Sequence, residues 1–329
     1  MKEEDIRPQK MHQKVKKLHK KDVEDIIEYK DDFKDVSCPA CEEDTEIFLH
    51  KKEEFRFVQC QNCETIYINP RPTPKMLDDF YSNSRSMKFW NEKIFPNTEE
   101  ERKDKIFRDR KNKVINFCKK YDIENNKLID VGAGFGTFIY LMKDSNFFNE
   151  TLAVEPSKNL AKSCQKKGLN VIDKPIEEVE DINADVITSF EVIEHLYDPI
   201  SFVNNCYKSL SKNGLLILTT PNVKGFELSM LKTISPNYGG PDHLNYYHPN
   251  SLKNLLKNSG FEVLEILTPG KLDAELVRKE VINGNIDLSS NLFLKEILID
   301  RWTELKDPFQ EFLVKNNLSS HMWIVAKKS

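Results

Sequence analysis

An acid and three alternating glycines follow a short apolar segment near the middle of the chain. The segment begins at Lys127 with the letters KLIDVGAGFG. Leu128, Ile129 and Val131 predict a short buried strand, and a helical apolar pattern begins at Phe138. Glycine allows the backbone to pass close to a ligand, and the first turn of a helix offers free N–H groups. We therefore predict a nucleotide-binding turn whose contacts come from Asp130, Gly132, Ala133, Gly134 and Gly136.

The spacing of the glycines indicates which nucleotide the turn binds. A dinucleotide fingerprint would be Gly-x-Gly-x-x-Gly, but Thr137 occupies the position of the third glycine. Glu155 ends the next predicted strand, 19 residues after Gly136, where such folds place a carboxylate that accepts hydrogen bonds from the ribose hydroxyls. We predict that Glu155, the following Pro156 and Asp173 also contact the nucleotide. Asp173 ends the third predicted strand, on the side where an adenine is expected. The pattern therefore departs from that of a dinucleotide site.

A second group of acids and histidines follows the fourth predicted strand, which ends at Phe190, itself a predicted contact of the nucleotide. Glu191, Glu194 and His195 come directly after it, and they share one face if the segment is helical. His243 lies on a long loop after the fifth predicted strand. Neighbouring parallel strands end at one edge of a sheet, where ligands bind, so we expect these residues to converge beside the nucleotide. We predict His243, His195 and Glu191 as catalytic residues, with a histidine as the general base.

Four of the seven cysteines form two Cys-x-x-Cys pairs, and 18 residues separate the pairs. This is the spacing of a four-cysteine zinc site, in which each pair directs two thiolates at one metal. A redox site needs only one pair, so two pairs favour zinc. The residues between the pairs suit a small β-hairpin, which is too short to build a core without metal. We predict a separate structural zinc ribbon over residues 36–70, with the ligands Cys38, Cys41, Cys60 and Cys63.

The elements that must position these residues alternate between strand and helix from residue 127 onward, as in a parallel α/β sheet. Strands are predicted at 128–131, 151–155, 169–172, 184–190, 215–220, 261–267 and 322–326. Before them, an aromatic segment at 81–95 separates two predicted helices, 75–81 and 99–121. This segment either caps the bound ligand or acceptor, or packs between the ribbon and the main domain.

Asp130 through Gly136 resembles motif I of the class I S-adenosylmethionine-dependent methyltransferases. Glu191–Pro199 resembles the segment after strand four in the ubiquinone-type O-methyltransferases and the broader small-molecule group. The resemblance implies a Rossmann-like α/β fold with seven strands, the last one antiparallel between the fifth and the sixth. It also implies S-adenosylmethionine as the cofactor and S-adenosylhomocysteine as the product, with the acid and glycines on the amino-acid part. It covers roughly residues 125–270 and 322–327.

The acceptor is implied only by further resemblance. A ribbon followed by this domain resembles bacterial methyltransferases of surface-polysaccharide or secondary-metabolite pathways, which implies O-methylation of a small hydroxylated metabolite, a sugar or a nucleotide-sugar. Glu191, Glu194, His195 and His243 also resemble the Mg²⁺-binding set of small-RNA 2′-O-methyltransferases. That likeness implies a metal that lowers the pKa of the acceptor hydroxyl, and it leaves an RNA 2′-O-methyltransferase as one alternative. A catalytically idle cofactor-binding partner is another.

The remaining parts of the chain are assigned from composition. Residues 1–35 are highly charged, basic in the first half and mostly acidic in the second. We interpret them as a solvated helical arm, and the acidic half argues against a contact with RNA. Residues 71–124 are predicted to form a helical linker or cap. Residues 125–329 form the methyltransferase-like domain, with an insertion at 270–320 that is partly helical.

Charge and composition limit the class of protein. The formal net charge is −4 over 329 residues, so bulk electrostatics do not demand a nucleic-acid partner. No run approaches the roughly 20 apolar residues of a membrane helix, and the first residues lack the apolar core of a signal peptide. An odd number of cysteines in this pattern suits a reducing compartment better than a disulfide framework. These observations predict a cytoplasmic protein with no membrane partner.

Overall fold

The structure, a computed structural model, describes residues 3–6, 8–180, 182–235 and 237–329. Its strands are β1 (Glu46–Lys52), β2 (Phe55–Cys60), β3 (Ile66–Ile68), β4 (Lys127–Val131), β5 (Glu150–Val154), β6 (Val171–Ile172), β7 (Ala184–Phe190), β8 (Leu210–Pro221), β9 (Asn245–Tyr246), β10 (Phe261–Leu267) and β11 (His321–Lys328). Its α-helices are α1 (Glu3–Ile6), α2 (Gln9–Ile27), α3 (Pro74–Asn83), α4 (Arg85–Phe89), α5 (Phe95–Arg102), α6 (Arg108–Lys120), α7 (Thr137–Asp144), α8 (Lys158–Lys166), α9 (Pro199–Ser209), α10 (Phe226–Leu231), α11 (Pro249–Asn258), α12 (Asp273–Ile282), α13 (Leu292–Lys295) and α14 (Trp302–Lys315).

A seven-stranded mixed sheet forms the centre of the main domain, in the order β10-β11-β8-β7-β4-β5-β6. The strands from β4 to β8 run parallel, and β11 pairs antiparallel with both β8 and β10. The predicted Rossmann-like α/β sheet is confirmed, including its last strand between the fifth and sixth. Because β11 runs in the opposite direction, its first residue, His321, lies opposite Pro221 at the carboxyl end of β8.

Helices cover both faces of this sheet, which explains why its strands are nearly continuous apolar runs. Successive side chains of a strand point to opposite faces. Leu128 packs with Phe138 of α7 on one face. Ile129 packs with Phe202 of α9 on the other. A residue at the end of a strand is thereby fixed by apolar packing on both sides of the sheet.

Several predicted boundaries shift in the structure. The third strand of the sheet is shorter than predicted, and the fifth, β8, begins at Leu210 rather than Leu215. The aromatic segment expected to separate two helices is itself helical, as α4 followed by a π-helix over Trp90–Ile94. Ser84 permits this because it ends α3 and its Oγ accepts a hydrogen bond from the Met87 N–H at 3.1 Å, which starts α4.

The ribbon strands form a second, antiparallel sheet, and a strand of the main domain extends it. The order is β1-β2-β3-β9. β9 belongs to the loop after β8, and its Tyr246 and Asn245 lie opposite Ile66 and Tyr67 of β3. The cysteines and Tyr67 also share one apolar core with the main sheet. The ribbon, which the sequence analysis treated as separate, is therefore joined to the loop that carries His243, because that loop pairs with the open edge of β3.

The N-terminal arm is packed against the protein over its second half, contrary to the solvated helix that we expected. Val23 and Ile26 of α2 are buried, and Asp22 is only 4% exposed. The Asp22 carboxylate accepts hydrogen bonds from the backbone N–H groups of Arg85 (3.0 Å) and Ser86 (2.8 Å). An acid at the N-terminus of a helix, here α4, satisfies N–H groups that the helix leaves unpaired. Composition does not reveal such a long-range cap.

The C-terminal insertion contains α12 to α14. These helices pack with α10 around Val277 and Leu298, in an apolar cluster of their own. The helical part of the insertion continues to Lys315, through a π-helix over Glu296–Asp300. Over the described ranges, none of the helices combines the length and the apolar surface that a membrane crossing requires.

Candidate active site

The glycine turn after β4 leaves open space for a ligand at its centre. Gly132, Gly134 and Gly136 all have positive φ angles, of 75°, 57° and 74°, which glycine adopts without strain. A Cβ at Gly134 would meet no atom within 4 Å, whereas a Cβ at Gly136 would lie 2.7 Å from Leu169 Cδ1. Gly136 is therefore required by packing against the protein. Gly134 instead forms a cradle that a side chain would fill, and this fits a ligand that passes close to the backbone.

Asp130 lies at the carboxyl end of β4 beneath the glycine turn, and it is 2% exposed. Its Oδ1 accepts a hydrogen bond from Thr188 Oγ1 at 2.8 Å. Burial raises the pKa of Asp130 to about 7, although this hydrogen bond and the charge of Arg110 act in the opposite direction. The ionised carboxylate is costly in this position, and a cationic ligand group beside it would lower that cost.

Glu155 follows β5, and the backbone holds its carboxylate in place. Oε2 accepts a hydrogen bond from the Gly134 N–H at 2.7 Å, and Oε1 accepts one from the Ser157 N–H at 2.9 Å. Burial raises the pKa of Glu155. Each carboxylate oxygen has a second lone pair, so both can also accept hydrogen bonds from a diol. The structure therefore brings Glu155 to the turn that contains Gly134.

Glu194, His195 and His243 converge beyond the end of β7. One potential ligand atom from each lies within 4.8 Å of the other two. His195 Nδ1 is 2.6 Å from the carbonyl oxygen of Asp242, and His243 Nδ1 is 3.1 Å from that of Asn237. A carbonyl oxygen only accepts hydrogen bonds, so both rings donate from Nδ1 and carry their lone pair on Nε2. That nitrogen can accept a proton or bind a metal ion.

The Glu194 carboxylate beside these rings is 1% exposed. Its Oε2 accepts a hydrogen bond from Thr220 Oγ1 at 3.0 Å, while its buried Oε1 has no hydrogen-bond partner in the described part of the chain. Burial, and then the charge of Glu191, raise the pKa of Glu194 well above its ordinary value. Burial lowers the pKa of His195. An unpartnered carboxylate oxygen beside two imidazoles is a donor set that fits a divalent cation.

Glu191 is directed elsewhere, so the three residues after β7 do not share one helical face. Its φ angle is 56°, and only Ile193–His195 forms a short 3₁₀ turn. Glu191 Oε1 lies 2.8 Å from His321 Nε2 and 3.4 Å from Arg110 Nη2. Burial alone would raise the pKa of Glu191, but the neighbouring His321 and the guanidinium of Arg110 hold it well below its ordinary value. Glu191 is therefore ionised and already paired.

A cavity of about 960 Å³ lies beyond the end of β7, and it is lined by Arg110, whose charge also acts on the neighbouring Asp130. The residues around it that bear on the chemistry are Glu191, Glu194, His195, His243, His321 and Arg110. α2 contributes Val15, Lys16 and His19 to its wall. The cavity is large enough for a drug-sized organic molecule. Because the glycine turn is not part of the wall, the cavity adjoins the ligand cradle instead of overlapping it.

Comparison with known proteins identifies the family. Residues 100–266 match the family described as "Methyltransferase domain". The match spans half of the chain and includes both strand-end groups, from Asp130 to His243. The chain belongs to this methyltransferase family.

Two curated relatives show how far the similarity extends. The chain is 36% identical to a Mycolicibacterium smegmatis protein named "Probable S-adenosylmethionine-dependent methyltransferase" over 92 residues. The matched part covers 26% of this chain and 32% of that protein. It is 22% identical to a ubiquinone biosynthesis O-methyltransferase of Pseudomonas putida over 184 residues. That matched part covers 52% of this chain and 78% of that protein. The chain thus spans about a third of the length of the mycobacterial relative.

Solved structures are similar over a larger part of the methyltransferase. An S-adenosylmethionine-dependent methyltransferase from Archaeoglobus fulgidus has a TM-score of 0.45 and 21% identity, and it covers 70% of this chain and 97% of its own. The magnesium protoporphyrin IX methyltransferase of Synechocystis has a TM-score of 0.44 and 11% identity, with 67% and 83% coverage.

The four ribbon cysteines of the methyltransferase lie together. Cys38 Sγ is 3.5 Å from Cys63 Sγ, and Cys41 Sγ is 3.6 Å from Cys60 Sγ. The two turns have the same form: the residues after each pair, Glu42 and Glu64, have φ angles of 60° and 59°. Their N–H groups donate to the first cysteine's carbonyl at 2.9 and 3.1 Å. Four sulfur atoms at these separations fit one tetrahedral zinc ion.

Three residues predicted to bind the cofactor lie at the margin of the group formed by Asp130, the glycine turn and Glu155. Asp173 and Pro156 are exposed beyond the ends of β6 and β5. Phe190 is half-buried, with its ring 4.7 Å from the guanidinium of Arg110. The aromatic segment contacts the glycine turn instead: the ring of Phe95 stacks on that of Phe135, which lies within the turn, with centroids 3.9 Å apart. Ala133 packs at the edge of the core beside the same turn.

Sequence analysis missed two residues that position Glu191. His321 could have been found, because the first residue of an antiparallel last strand must lie at the ligand-binding edge of the sheet. Arg110 gave no comparable signal, because a cation on a charged helix is usually solvated. Its burial depends on tertiary contacts with the Phe190 ring and with Glu191, which are distant in sequence.

Replacement of Asp130 by Asn should change how stability depends on pH in the cofactor-free protein. The folded-state pKa lies above that of an unfolded Asp, so the folded state binds more protons between about pH 4 and pH 7 and loses stability as the pH rises through that window. The variant lacks this loss, so its stability relative to wild type should rise over the window, by up to about 4 kcal/mol at pH 8. Chemical denaturation from pH 4.5 to 8 measures the difference.

Asp173→Asn removes the same charge from an exposed position and serves as the matched control. It should show no comparable change across the pH window. A constant difference between Asp130→Asn and wild type at all pH values would show that Asp130 ionises as freely in the folded protein as in the unfolded one.

Proposed function

We propose that the methyltransferase transfers a methyl group from S-adenosylmethionine to a hydroxyl of a small acceptor, such as a sugar, a nucleotide-sugar or another hydroxylated metabolite. The observation that carries this proposal is the group formed by Glu194, His195 and His243. It lies in a cavity that adjoins the glycine cradle, and its two imidazole Nε2 lone pairs can take or polarise a hydroxyl proton. An O-methyltransferase needs such a group, because a sulfonium donor is already activated and the acceptor must lose its proton.

The cofactor would be held at the carboxyl ends of β4 and β5. Asp130 and the turn containing Gly132 and Gly134 would contact its amino-acid part. Glu155 would accept hydrogen bonds from its ribose hydroxyls. The open space at Gly134 and the buried, ionisable Asp130 support this arrangement, because the amino group of the cofactor is a cation that would favour the charged form of Asp130.

Proton removal from the acceptor can follow two schemes. In the first, His243 or His195 is the general base, with Nδ1 fixed by a backbone carbonyl and Nε2 directed at the substrate. In the second, Glu194, His195 and His243 hold a divalent cation such as Mg²⁺, which would lower the pKa of the acceptor hydroxyl. The unpartnered Oε1 of Glu194 favours the second scheme. Glu191 would be neither the general base nor a ligand of the cation. Because it is paired with His321, it would act as a fixed negative charge at the cavity wall.

The ribbon cysteines would hold one structural zinc ion. Four cysteines complete a tetrahedral shell, so no position is left for a substrate or water. The repeated turn geometry at Glu42 and Glu64 and the sulfur separations support this assignment. The metal would contribute to folding, because a structural zinc site forms only in the folded state.

Replacement of Glu155 by Gln should weaken the binding of S-adenosylmethionine by about 10- to 100-fold, which corresponds to the loss of hydrogen bonds to a charged group. Glu150→Gln, at the exposed start of the same strand, should leave the affinity unchanged. Isothermal titration calorimetry measures both. Equal affinities for the two variants would remove Glu155 from the cofactor site.

Freshly purified protein should contain one zinc ion per chain by elemental analysis. Cys60→Ser should lower the zinc content to well below one, because it removes one of four ligands. Cys118→Ser, a buried cysteine outside the ribbon, should retain it. A zinc-free native protein with four reduced ribbon cysteines would contradict the assignment.

Replacement of His243 or His195 by Gln should lower kcat by about 10²- to 10⁴-fold, the usual contribution of a general base, with little effect on the affinity for S-adenosylmethionine. Transfer of a labelled methyl group to sugars, nucleotide-sugars and short RNAs measures the effect and the acceptor class. Activity that depends on added Mg²⁺ in protein whose ribbon keeps its zinc would select the cation scheme. Near-normal kcat in both variants would exclude both schemes, and methylation of RNA alone would overturn the small-acceptor proposal.

A further inference from the structure

The ribbon holds the loop that carries His243, and the first contacts along the chain are at Ser235 and Tyr238. Lys52, at the end of β1, donates hydrogen bonds to the carbonyl oxygen of Ser235 at 3.1 Å and to that of Tyr238. These bonds are partly buried, and burial lowers the pKa of Lys52. The aromatic ring of Tyr238 lies against Phe57 of β2, with centroids 5.0 Å apart. The start of the loop is thus attached to the ribbon hairpin.

The middle and the end of the loop are also held by the ribbon. A Cβ at Gly240 would lie 2.7 Å from Ile68 Cδ1 and 2.8 Å from Phe55 Cδ2, so this backbone packs directly on the ribbon. The Ile68 N–H donates to the Leu244 carbonyl at 3.0 Å, next to the β3–β9 pairing. His248 Nε2 lies 3.1 Å from the carbonyl oxygen of Cys63, one of the four cysteines.

The opposite side of the same loop contacts the catalytic segment after β7. The Leu244 N–H donates to the Glu194 carbonyl at 2.9 Å. The Asn245 side chain donates to the Leu196 carbonyl at 2.7 Å. The Asp242 carbonyl receives the His195 Nδ1–H. Between Asp242 and Asn245, the loop therefore lies between the ribbon and the segment that carries Glu194 and His195.

We propose that the zinc ribbon is a positioning element of the acceptor site, which fixes His243 against Glu194 and His195 through residues 237–248. The second cysteine turn ends directly before β3, so the strand that pairs with the loop begins at the metal site. Without metal, the turn at Cys60–Cys63 loses the thiolate–metal bonds that would tie it to Cys38 and Cys41, so β3 and the Cys63 carbonyl are held less firmly. The cofactor cradle at β4 and β5 makes none of these contacts. Loss of zinc should therefore impair the acceptor side and spare the cofactor side.

The inference rests on the proposed role of His243, but its effect on the loop is measured without turnover. The full-length protein is treated with a chelator under reducing conditions, and the Cys60→Ser variant is prepared in parallel. Amide hydrogen exchange is followed in residues 238–248 and in β4. We expect exchange in the loop to become about 10- to 100-fold faster while β4 is unchanged. The affinity for S-adenosylmethionine should stay within about threefold, and Mn²⁺ binding at the Glu194 group should weaken by at least about tenfold.

Cys118→Ser is the matched control for the loss of a cysteine outside the ribbon, and it should leave loop exchange and both affinities unchanged. Unchanged loop exchange after verified zinc loss would overturn the inference. Equal acceleration in the loop and in β4 would also overturn it, because the ribbon would then stabilise the whole fold. A third result is also informative: the zinc-loaded protein binds no Mn²⁺, but zinc loss still accelerates exchange in the loop alone. This result would support the positioning role of the ribbon and would reject only the cation scheme.

A second pair of variants tests the same contact with zinc in place. Gly240→Ala places a methyl group against Phe55 and Ile68, whereas at Gly239 the nearest atoms to an added Cβ are 3.6 Å away, which is ordinary contact. We expect Gly240→Ala to accelerate exchange at the Leu244 N–H and to weaken Mn²⁺ binding, with a full zinc content. Gly239→Ala should do neither. Identical behaviour of the two variants would show that the ribbon contact does not position the loop.

Discussion

The backbone of Leu244 forms hydrogen bonds in two directions, and the candidate acceptor site depends on this arrangement. Its carbonyl accepts from the ribbon and its N–H donates to Glu194. Long loops normally lie on the surface, because a buried one must satisfy every polar backbone group. Here β3 of the ribbon satisfies the Leu244 carbonyl, and the 3₁₀ turn after β7 satisfies its N–H. A histidine on such a loop is held as firmly as one on a regular strand, and a precise acceptor geometry requires this.

The same site is costly in free energy of folding. Asp130 and Glu194 are almost fully buried carboxylates, and their ionised forms lose most of their hydration, whereas the neighbouring Glu191 side chain is 34% exposed and loses less. Glu191 recovers part of this cost through His321 and Arg110. Asp130 and Glu194 recover less, as the rise in their pKa values shows. The structure therefore separates two kinds of acid: one satisfied by the protein, and two that a cationic ligand or metal ion would stabilise further.

Local and periodic features could be predicted from the sequence. Apolar runs located the strands because both faces of the sheet are covered, and the glycine spacing located the cradle because positive φ angles demand glycine there. The partnership of Glu194 with His195 and His243 followed from parallel strand ends meeting at one edge. The direction of Glu191 did not follow, because a single positive φ angle replaced the expected helix. The cap of α4 by Asp22 and the pairing of β9 with β3 join residues more than 60 and 170 positions apart, and no local pattern encodes such contacts.

The distribution of the two sites along the chain explains why family membership does not name the acceptor. The proposed cofactor cradle lies wholly within residues 100–266, the range that matches the family. Much of the cavity wall comes from outside that range, from His19 of α2, Lys52 of the ribbon, Lys271 of the insertion and His321 of β11. His19 Nδ1 is 3.4 Å from the carboxylate of Asp242, whose carbonyl orients His195. If the cavity receives the acceptor, as proposed, these added parts contribute to acceptor selectivity, and variants in them are the ones that should change it.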